Sequence, residues 1–293
     1  MKGNLATIEQ HISKALNNSI QFQSSHSVSG GCINQCLEIT DSNQNKWFIK
    51  TNTHSSLEMF IAEAEGLKEI LNSKSIRTPK VICHGTSNEI SYLVLEYIKL
   101  QSQRKLAKTG KQLADMHKYH AKTYGWKRDN TIGSTPQLNN RNNNWVSFWK
   151  NERLLFQLEL AKNNGYSNKA YENCLKLIEN LALFFAHYNP KPSLLHGDLW
   201  GGNCASDEKG NPVLYDPAVY YGDRETDIAM TELFGGFSAE FYASYNEHYP
   251  LDSGYKIRKK LYNLYHILNH FNIFGGGYAS QAENMTLQLL AEI

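Results

Sequence analysis

Residues 194–203 read Leu-Leu-His-Gly-Asp-Leu-Trp-Gly-Gly-Asn, so an acid, two adjacent glycines and an amide follow directly after an apolar pair. A carboxylate suits proton transfer, an amide oxygen suits a hard cation, and glycines allow the chain to bend between the two. The same residues also fit a capped turn at the end of a strand. The rest of the chain decides between these two explanations.

The segment before residue 100 has the pattern of a small sheet with one main helix. Alternating polar and apolar residues over 32–39, a polar turn over 41–45 and an apolar stretch over 46–50 predict a hairpin that ends on Lys50. Apolar residues then recur every three or four positions over 56–72, which predicts a helix whose apolar face includes Glu63. Two more strands are predicted around 80–83 and 90–97.

After about residue 102 the pattern becomes almost wholly helical, so we predict a bilobal α+β fold. Its two domains are an N-terminal antiparallel-sheet lobe over 1–97 and a larger, mostly helical C-terminal lobe over 98–293. Helices are predicted over 104–122, 144–163, 168–188, 225–234, 238–247, 255–272 and 280–292, with a loop over 130–144.

Within this framework the chain contains, in the required order, five residues that phosphoryl transfer by a two-lobed kinase needs. They are a strand lysine, a glutamate on the next helix, a catalytic base and two magnesium ligands: Lys50, Glu63, Asp198, Asn203 and Asp216. Asp198 and Asn203 are five positions apart, as in the catalytic loop of protein kinases. Asp198 would accept the proton of a substrate hydroxyl that attacks the γ-phosphate of ATP, while Asn203 and Asp216 supply oxygen ligands to Mg²⁺.

Each of these residues has an ordinary structural explanation when it is taken alone. A lysine at a strand end is usually solvated, and Asp216, which follows an apolar run and precedes Pro217, fits a turn. Glu63 is harder to explain in this way, because burial of an unpaired carboxylate costs several kcal/mol, and Lys50 is the natural cation for it. The coincidence of all five residues favours the phosphotransfer site.

Two further parts of a nucleotide site have weaker sequence signals. Gly30 and Gly31 lie where a phosphate-binding loop would precede the Lys50 strand, although neither G-x-G-x-x-G nor G-x-x-x-x-G-K-[ST] is present and a hairpin turn is the alternative. Adenine is predicted against the connection Glu96-Tyr97-Ile98, which an ordinary linker would also explain. Cys32 follows the two glycines, so backbone N–H groups arranged for an anion would stabilise its thiolate toward oxidants; a small residue in a tight turn is the alternative.

Together these motifs resemble those of the fructosamine-3-kinase (ketosamine-3-kinase) family, a branch of the protein-kinase-like fold that also contains aminoglycoside and choline kinases. Residues 196–203 match the family's H-G-D-L-W-x-G-N, and residues 215–218 match its Y-D-P-A. Trp200 discriminates most, because H-G-D with a later asparagine occurs across small-molecule kinases, whereas L-W-x-G-N is particular to this branch. Further matching segments are spread over nearly the whole chain: 30–33, 48–50, 59–60, 113–117, 235–237 and 268–270.

The resemblance implies that ATP, with Mg²⁺, phosphorylates the 3-hydroxyl of a ketosamine, the adduct formed when a sugar glycates an amine. In that family the product is unstable and frees the amine, so the implied activity is repair of glycation. Trp200 would pack on the sugar and His270 would line the substrate pocket, with structural roles as the alternatives. Asp227 resembles the aspartate that braces the catalytic loop in this fold.

The composition excludes other classes of protein. Thirty Lys and Arg against 28 Asp and Glu give a net charge of +2 without a basic block, so no nucleic-acid partner is expected. The chain starts with a polar helical pattern and has no long apolar run, so we expect no membrane segment and a cytoplasmic enzyme. Five scattered cysteines predict reduced thiols rather than a disulfide framework or a zinc site.

Two rival functions are weighed against the ketosamine kinase. A kinase of aminoglycosides or amino alcohols should ring its pocket with extra carboxylates, and the basic run over 256–260 counts against this function. A non-catalytic nucleotide-binding module should have lost the lysine, the base or a magnesium ligand, yet all of these residues are present. The preferred ketose, a free or a protein-linked amine, and a monomer or a homodimer are left open.

Overall fold

The computed structural model describes residues 2–28, 33–101 and 106–293, so Gly30, Gly31 and Cys32 lie outside the described residues. The chain divides into two compact units. One comprises Met1–Arg104 and Ala205–Asp216, and the other comprises Lys105–Cys204 and Pro217–Ile293. The predicted single boundary between residues 97 and 98 does not anticipate that Ala205–Asp216 groups with the N-terminal part of the chain.

The first unit is built on one antiparallel sheet. Its helices and strands are α1 (Lys2–Leu16), β1 (Phe22–Val28), β2 (Gln35–Asp41), β3 (Lys46–Thr53), α2 (Leu57–Asn72), β4 (Val81–Ser87) and β5 (Ile90–Glu96). The five strands lie in the order β1-β2-β3-β5-β4. The predicted turn between β2 and β3 is present, and the buried carboxylate of Asp41 fixes it by accepting from the N–H groups of Asn43 (2.9 Å) and Asn45 (2.8 Å).

Two helices cover opposite faces of this sheet. Tyr92 and Val94 of β5 pack in one apolar cluster with α1, whereas Leu93 and Leu95 pack in another with α2. Because successive side chains of a strand point to opposite faces, α1 and α2 lie on the two sides of the sheet. Glu63 lies on α2, so its side chain can reach the face of the sheet that α2 covers.

The segment Ala205–Asp216 adds a small hairpin to the first unit. Strands β9 (Cys204–Ser206) and β10 (Pro212–Leu214) pair in a two-stranded sheet. Main-chain hydrogen bonds join this hairpin to the N-terminal segment, with Gln101 N donating to Ser206 O (2.8 Å) and Leu214 N donating to Arg77 O (2.9 Å). These contacts explain why a segment so distant in sequence belongs to this unit.

The second unit is mostly helical. Its helices are α3 (Leu106–His117), α4 (Trp145–Phe148), α5 (Phe156–Asn163), α6 (Asn168–Glu179), α7 (Glu225–Leu233), α8 (Ala239–His248), α9 (Tyr255–Phe274) and α10 (Tyr278–Leu290). A π-helical stretch, Trp149–Leu155, joins α4 to α5. Each stretch predicted to be helical after residue 102 contains a helix, but two of the helices end early. Helix α3 ends at His117 rather than at residue 122, and α6 ends at Glu179 rather than at residue 188, with a separate 3-10 turn over Leu181–Phe185. The predicted α+β fold is thus confirmed.

Short strands in the second unit differ from the prediction. They are β6 (Asn130–Ile132), β7 (Thr135–Gln137), β8 (Ser193–Leu195) and β11 (Tyr220–Gly222). The first two form a hairpin inside the predicted loop over 130–144, and β8 pairs with β11. Three-residue strands are too short to produce the alternating pattern from which strands are predicted. Among the described helices, none combines the length and apolar character needed to cross a bilayer.

Candidate active site

Lys50 is held by two carboxylates in the first unit. Its side chain is only 4 % exposed, and Nζ lies 2.6 Å from Oε1 of Glu63 on α2 and 2.5 Å from Oδ1 of Asp216. The ion pair predicted between Lys50 and Glu63 is therefore present, and Asp216 joins it. Burial acts to lower the pKa of Lys50, but the two carboxylates outweigh it and raise the pKa above its ordinary value. Lys50 is thus a permanent cation.

The local sequence explains how this buried pair forms. Lys50 is two positions after Phe48, which packs on the α2 side of the sheet, so the lysine points to the same side. Glu63 lies one helical turn from the buried residues Phe60 and Leu67 on the inner face of α2. Burial raises the pKa of Glu63, and the charge of Lys50 opposes that rise. The pair satisfies two charges that would be costly to bury alone.

Asp216 occupies a special backbone position. Its φ is +58°, in the left-handed region that aspartate tolerates better than most residues. One carboxylate oxygen contacts Lys50, while the side chain is 44 % exposed. The second oxygen of this exposed carboxylate is a suitable donor atom for a hard cation.

In the second unit the side chain of Asn203 contacts Asp198. Nδ2 of Asn203 donates to the main-chain oxygen of Asp198 (2.8 Å) and to its carboxylate Oδ2 (3.1 Å). Only the NH₂ group of an amide can donate to two oxygens, so the amide oxygen of Asn203 is directed away from Asp198. The five-residue spacing seen in the sequence therefore brings both side chains together. The loop contains a carboxylate oxygen from Asp198 and an amide oxygen from Asn203.

A buried aspartate holds the start of this loop. Asp227 on α7 accepts from the backbone N–H of His196 (2.7 Å) and of Gly197 (2.9 Å). Gly197 has a φ of +82°, and a Cβ there would lie 2.0 Å from the carbonyl oxygen of Ala218, so no other residue fits. Burial acts to raise the pKa of Asp227, but hydrogen bonds from the His117 ring and from the backbone N–H of Gly197 help to lower it below its ordinary value. The carboxylate is thus a charged brace for the loop that carries Asp198.

Sequence reasoning missed two side chains that support this brace. His117 at the end of α3 has Nε2 3.1 Å from Oδ2 of Asp227 and Nδ1 2.7 Å from the hydroxyl of Tyr245. Burial lowers the pKa of His117, so a neutral ring donates from Nε2 to Asp227 and accepts at Nδ1 from Tyr245. The motif over 113–117 contained the histidine but gave no sign of its partner, which is 110 positions away.

The two predicted substrate residues lie in the second unit. Trp200 lies in the loop between Asp198 and Asn203 and is 42 % exposed, so part of its ring is open to a ligand. His270 on α9 donates from Nδ1 to the carbonyl oxygen of His266 (2.7 Å), and its ring contacts that of Phe234. His266, which the sequence analysis did not single out, is buried, and its Nδ1 has no hydrogen-bond partner among the described residues. Burial lowers the pKa of both histidines.

The predicted adenine connection begins where β5 ends. The carboxylate of Glu96 accepts from Arg77 (2.5 Å) and from the backbone N–H of Lys80 (3.2 Å), so this residue is anchored through its side chain. Tyr97 and Ile98 follow outside the described helices and strands, both partly buried. The connection is thus fixed at one end.

Asp216 and Asn203 are the predicted magnesium ligands. In the part of the chain that the structure describes, no group of three or more His, Cys, Asp and Glu side chains encloses a metal. Mg²⁺ commonly takes only one or two protein oxygens and completes its shell with water and phosphates. The carboxylate of Asp216 and the amide oxygen of Asn203 fit this chemistry.

The fold is that of kinases that act on small molecules. The choline kinase from Streptococcus pneumoniae covers 99 % of this chain and 99 % of its own with a TM-score of 0.61, and at 17 % identity the likeness concerns the fold alone. The family model for fructosamine kinase matches residues 4–292. The chain therefore belongs to the fructosamine kinase family.

Relatives are similar over most of their length. A protein from Synechocystis named a probable ketoamine kinase is 45 % identical over 97 % of this chain and 96 % of its own. A chloroplastic protein-ribulosamine 3-kinase from rice is 44 % identical over 87 % of this chain and 75 % of its own. A crystal structure from Haemophilus somnus assigned to the fructosamine-3-kinases has a TM-score of 0.90 and 30 % identity, with 99 % of this chain and 98 % of that chain covered.

Proposed function

We propose that this protein is an ATP-dependent kinase of ketosamines that phosphorylates their 3-hydroxyl group. The family membership and the names of the relatives support the substrate class, and the residues of the two units support the reaction. The observation that carries the proposal is the buried Lys50, which holds Glu63 and Asp216 together. This arrangement is what a phosphate-binding lysine beside a metal-binding aspartate requires.

In the first unit the proposed roles concern the nucleotide. Lys50, oriented by Glu63, binds the phosphates of ATP, and the connection Glu96-Tyr97-Ile98 binds adenine. Gly30 and Gly31 stay predicted phosphate-loop residues. Mg²⁺, bound by Asp216 and Asn203, would neutralise charge on the phosphates during transfer.

In the second unit the proposed roles concern the acceptor. Asp198 accepts the proton of the 3-hydroxyl while the hydroxyl oxygen forms its bond to the γ-phosphorus, and the bond from that phosphorus to the bridging oxygen of ADP breaks. Trp200 packs on the sugar and His270 lines the pocket. The phosphorylated ketosamine then releases its amine, so the cellular role is deglycation.

The test is ketosamine-dependent consumption of ATP, measured for ribulosyl-, erythrulosyl- and fructosyl-lysine, with phosphorus NMR to locate the new phosphate. We expect turnover with at least one ketosamine and a 3-phosphate product. Turnover with an aminoglycoside or an amino alcohol, and with none of the ketosamines, would contradict the proposal. The same substrates offered free and attached to a protein identify the preferred amine. The cytoplasmic location and the oligomeric state stay predictions.

A further inference from the structure

Arg77 joins two carboxylates that are far apart in the sequence. Its Nη2 donates to Oε1 of Glu96 (2.5 Å), and its Nη1 donates to Oδ2 of Asp207 (2.6 Å). All three residues belong to the first unit. A guanidinium group is a rigid planar fork, so it fixes the distance and the angle between two carboxylates, which a lysine would not do.

The Asp207 arm leads toward Asp216. Asp207 is almost fully buried, and its Oδ1 accepts from the backbone N–H of Lys209 (3.0 Å) and of Asn211 (2.8 Å), so it organises the turn between β9 and β10. Burial acts to raise the pKa of Asp207, but hydrogen bonds from Asn211, Arg77 and Lys209 lower it to about 2. The carboxylate of Asp207 is thus charged at any physiological pH.

Arg77 also holds the far end of the same hairpin through its main chain. Its carbonyl oxygen accepts from the N–H of Leu214 (2.9 Å), two residues before Asp216. Arg77 therefore contacts the segment Ala205–Asp216 at both the turn and the strand that leads into the metal-binding aspartate.

The Glu96 arm leads toward adenine. Glu96 is the last residue of β5 and the first of the predicted adenine connection, and its second oxygen accepts from the N–H of Lys80. The guanidinium group of Arg77 therefore contacts the residue that begins the predicted adenine connection. It also contacts the hairpin that leads to the phosphate and metal end of the nucleotide site.

We infer that Arg77 is a positioning residue that sets the adenine connection against Asp216, so that one nucleotide can satisfy both. This inference rests on the proposed function, since it assumes that Glu96-Tyr97-Ile98 and Asp216 bind ATP. A residue that only stabilises the fold would change the melting temperature and leave nucleotide binding alone. A positioning residue changes the affinity for nucleotide in the folded protein.

The contacts of Arg77 with Glu96 and with Asp207 should have separate effects on ADP binding. Calorimetry with and without Mg²⁺ measures both effects. Arg77→Met should weaken Mg-free ADP binding about tenfold, equivalent to about 1.4 kcal/mol, and should also reduce the factor by which Mg²⁺ strengthens binding. Glu96→Gln should mainly affect the Mg-free affinity, and Asp207→Asn mainly the gain from Mg²⁺. Arg77→Lys retains the charge without the fork and should restore only part of the loss.

A matched control is available in an exposed ion pair between the same two segments. Lys99 Nζ lies 2.9 Å from Oε1 of Glu208, with side chains 66 % and 59 % exposed. Lys99→Met should leave ADP binding unchanged, because exposed pairs contribute little. Equal ADP affinity and equal Mg²⁺ dependence in wild type, Lys99→Met and Arg77→Met would overturn the inference.

If Arg77→Met does not fold, Glu96→Gln and Asp207→Asn each remove one arm, and wild-type ADP binding in both variants would overturn the inference. If the wild-type protein binds ADP but turns over no ketosamine, the proposed substrate is wrong while the Arg77 comparison stands. The two failures are therefore distinguishable.

Discussion

Asn203 contacts Asp198 twice, once at the main-chain oxygen and once at the carboxylate, through a single Nδ2 group. This amide therefore fixes both the backbone and the side chain of the proposed base. It also gives the five-residue spacing a structural reason, since an asparagine placed elsewhere in the loop would not orient the proposed base in this way.

Asp198→Asn tests the base directly. The variant retains a side chain of the same size, so we expect the fold and nucleotide binding to persist while kcat falls roughly 10²–10⁴-fold, the contribution of a positioned general base. Steady-state kinetics and circular dichroism measure the two effects. Near-normal turnover in this variant would remove Asp198 from the proposed role.

Lys50 and Glu63 should act as one unit. Because each is the buried partner of the other, Lys50→Ala and Glu63→Ala should each reduce kcat/KM, and the double variant should be little worse than either single one. The exposed pair Lys99 and Glu208 in the same unit is the control, and its variants should have near-normal activity. Additive losses for Lys50 and Glu63 would indicate that they act independently.

His117 should support the loop through Asp227. His117→Phe removes the Nε2 donor to a buried carboxylate, and we expect a loss of about 1–3 kcal/mol in the free energy of unfolding, together with a lower kcat. His117→Gln offers an N–H group near the same position and should recover part of both. Chemical denaturation and kinetics at one temperature provide the comparison. A fully active, fully stable His117→Phe protein would contradict the proposed brace.

Gly202 limits the position of Trp200. A Cβ on residue 202 would lie 2.2 Å from the Trp200 ring, so Gly202→Ala must displace the ring. We expect a higher KM for the ketosamine and little change in the KM for ATP, because the ring is proposed to pack on the sugar. Gly3→Ala, where the nearest side-chain atom would be at an ordinary 3.8 Å, is the control. Equal effects on both KM values would argue against a sugar-specific role.

His266 makes the stability of the protein dependent on pH. Burial lowers its pKa from 6.5 to about 3, so between these values the unfolded chain binds a proton that the folded protein does not. Stability is therefore full above pH 6.5 and falls as the pH decreases toward 3, by about 1.4 kcal/mol per pH unit from this group. Besides burial, the groups that act on the pKa of His266 are His270, Asp227 and Arg153. His266→Gln should flatten this slope in urea titrations, and an unchanged slope would assign it to other groups.

Much of the fold was predictable because its signals are local. The helix over 56–72 and the hairpin before it have regular apolar spacing, and this spacing predicts Glu63 on the apolar face of its helix, where Lys50 is its natural cation. The short strands and the return of Ala205–Asp216 to the first unit were not predictable, because they depend on main-chain contacts such as the one between Arg77 and Leu214. Such contacts leave no trace in residue type.

The residues of the candidate site also differ in whether the local sequence makes them recognisable. Asp198 and Asn203 are recognisable from their spacing, and Lys50 and Glu63 from position on a strand and a helix face. The roles of His117, Tyr245 and Arg77 were missed because their partners are remote in sequence, even though His117 lies in the matched segment over 113–117. Cys32 stays a prediction, since it lies outside the described residues.

The hairpin of Ala205–Asp216 limits how this gene can be divided into fragments that each encode a whole unit. A fragment that encodes only residues 1–104 would specify the five-stranded sheet but would lack Asp207 and Asp216, so Arg77 and Lys50 would each lose one counter-ion. The N-terminal lobe is therefore not encoded by one continuous stretch of the gene, so it cannot be transferred as a single exon or as a single fused segment.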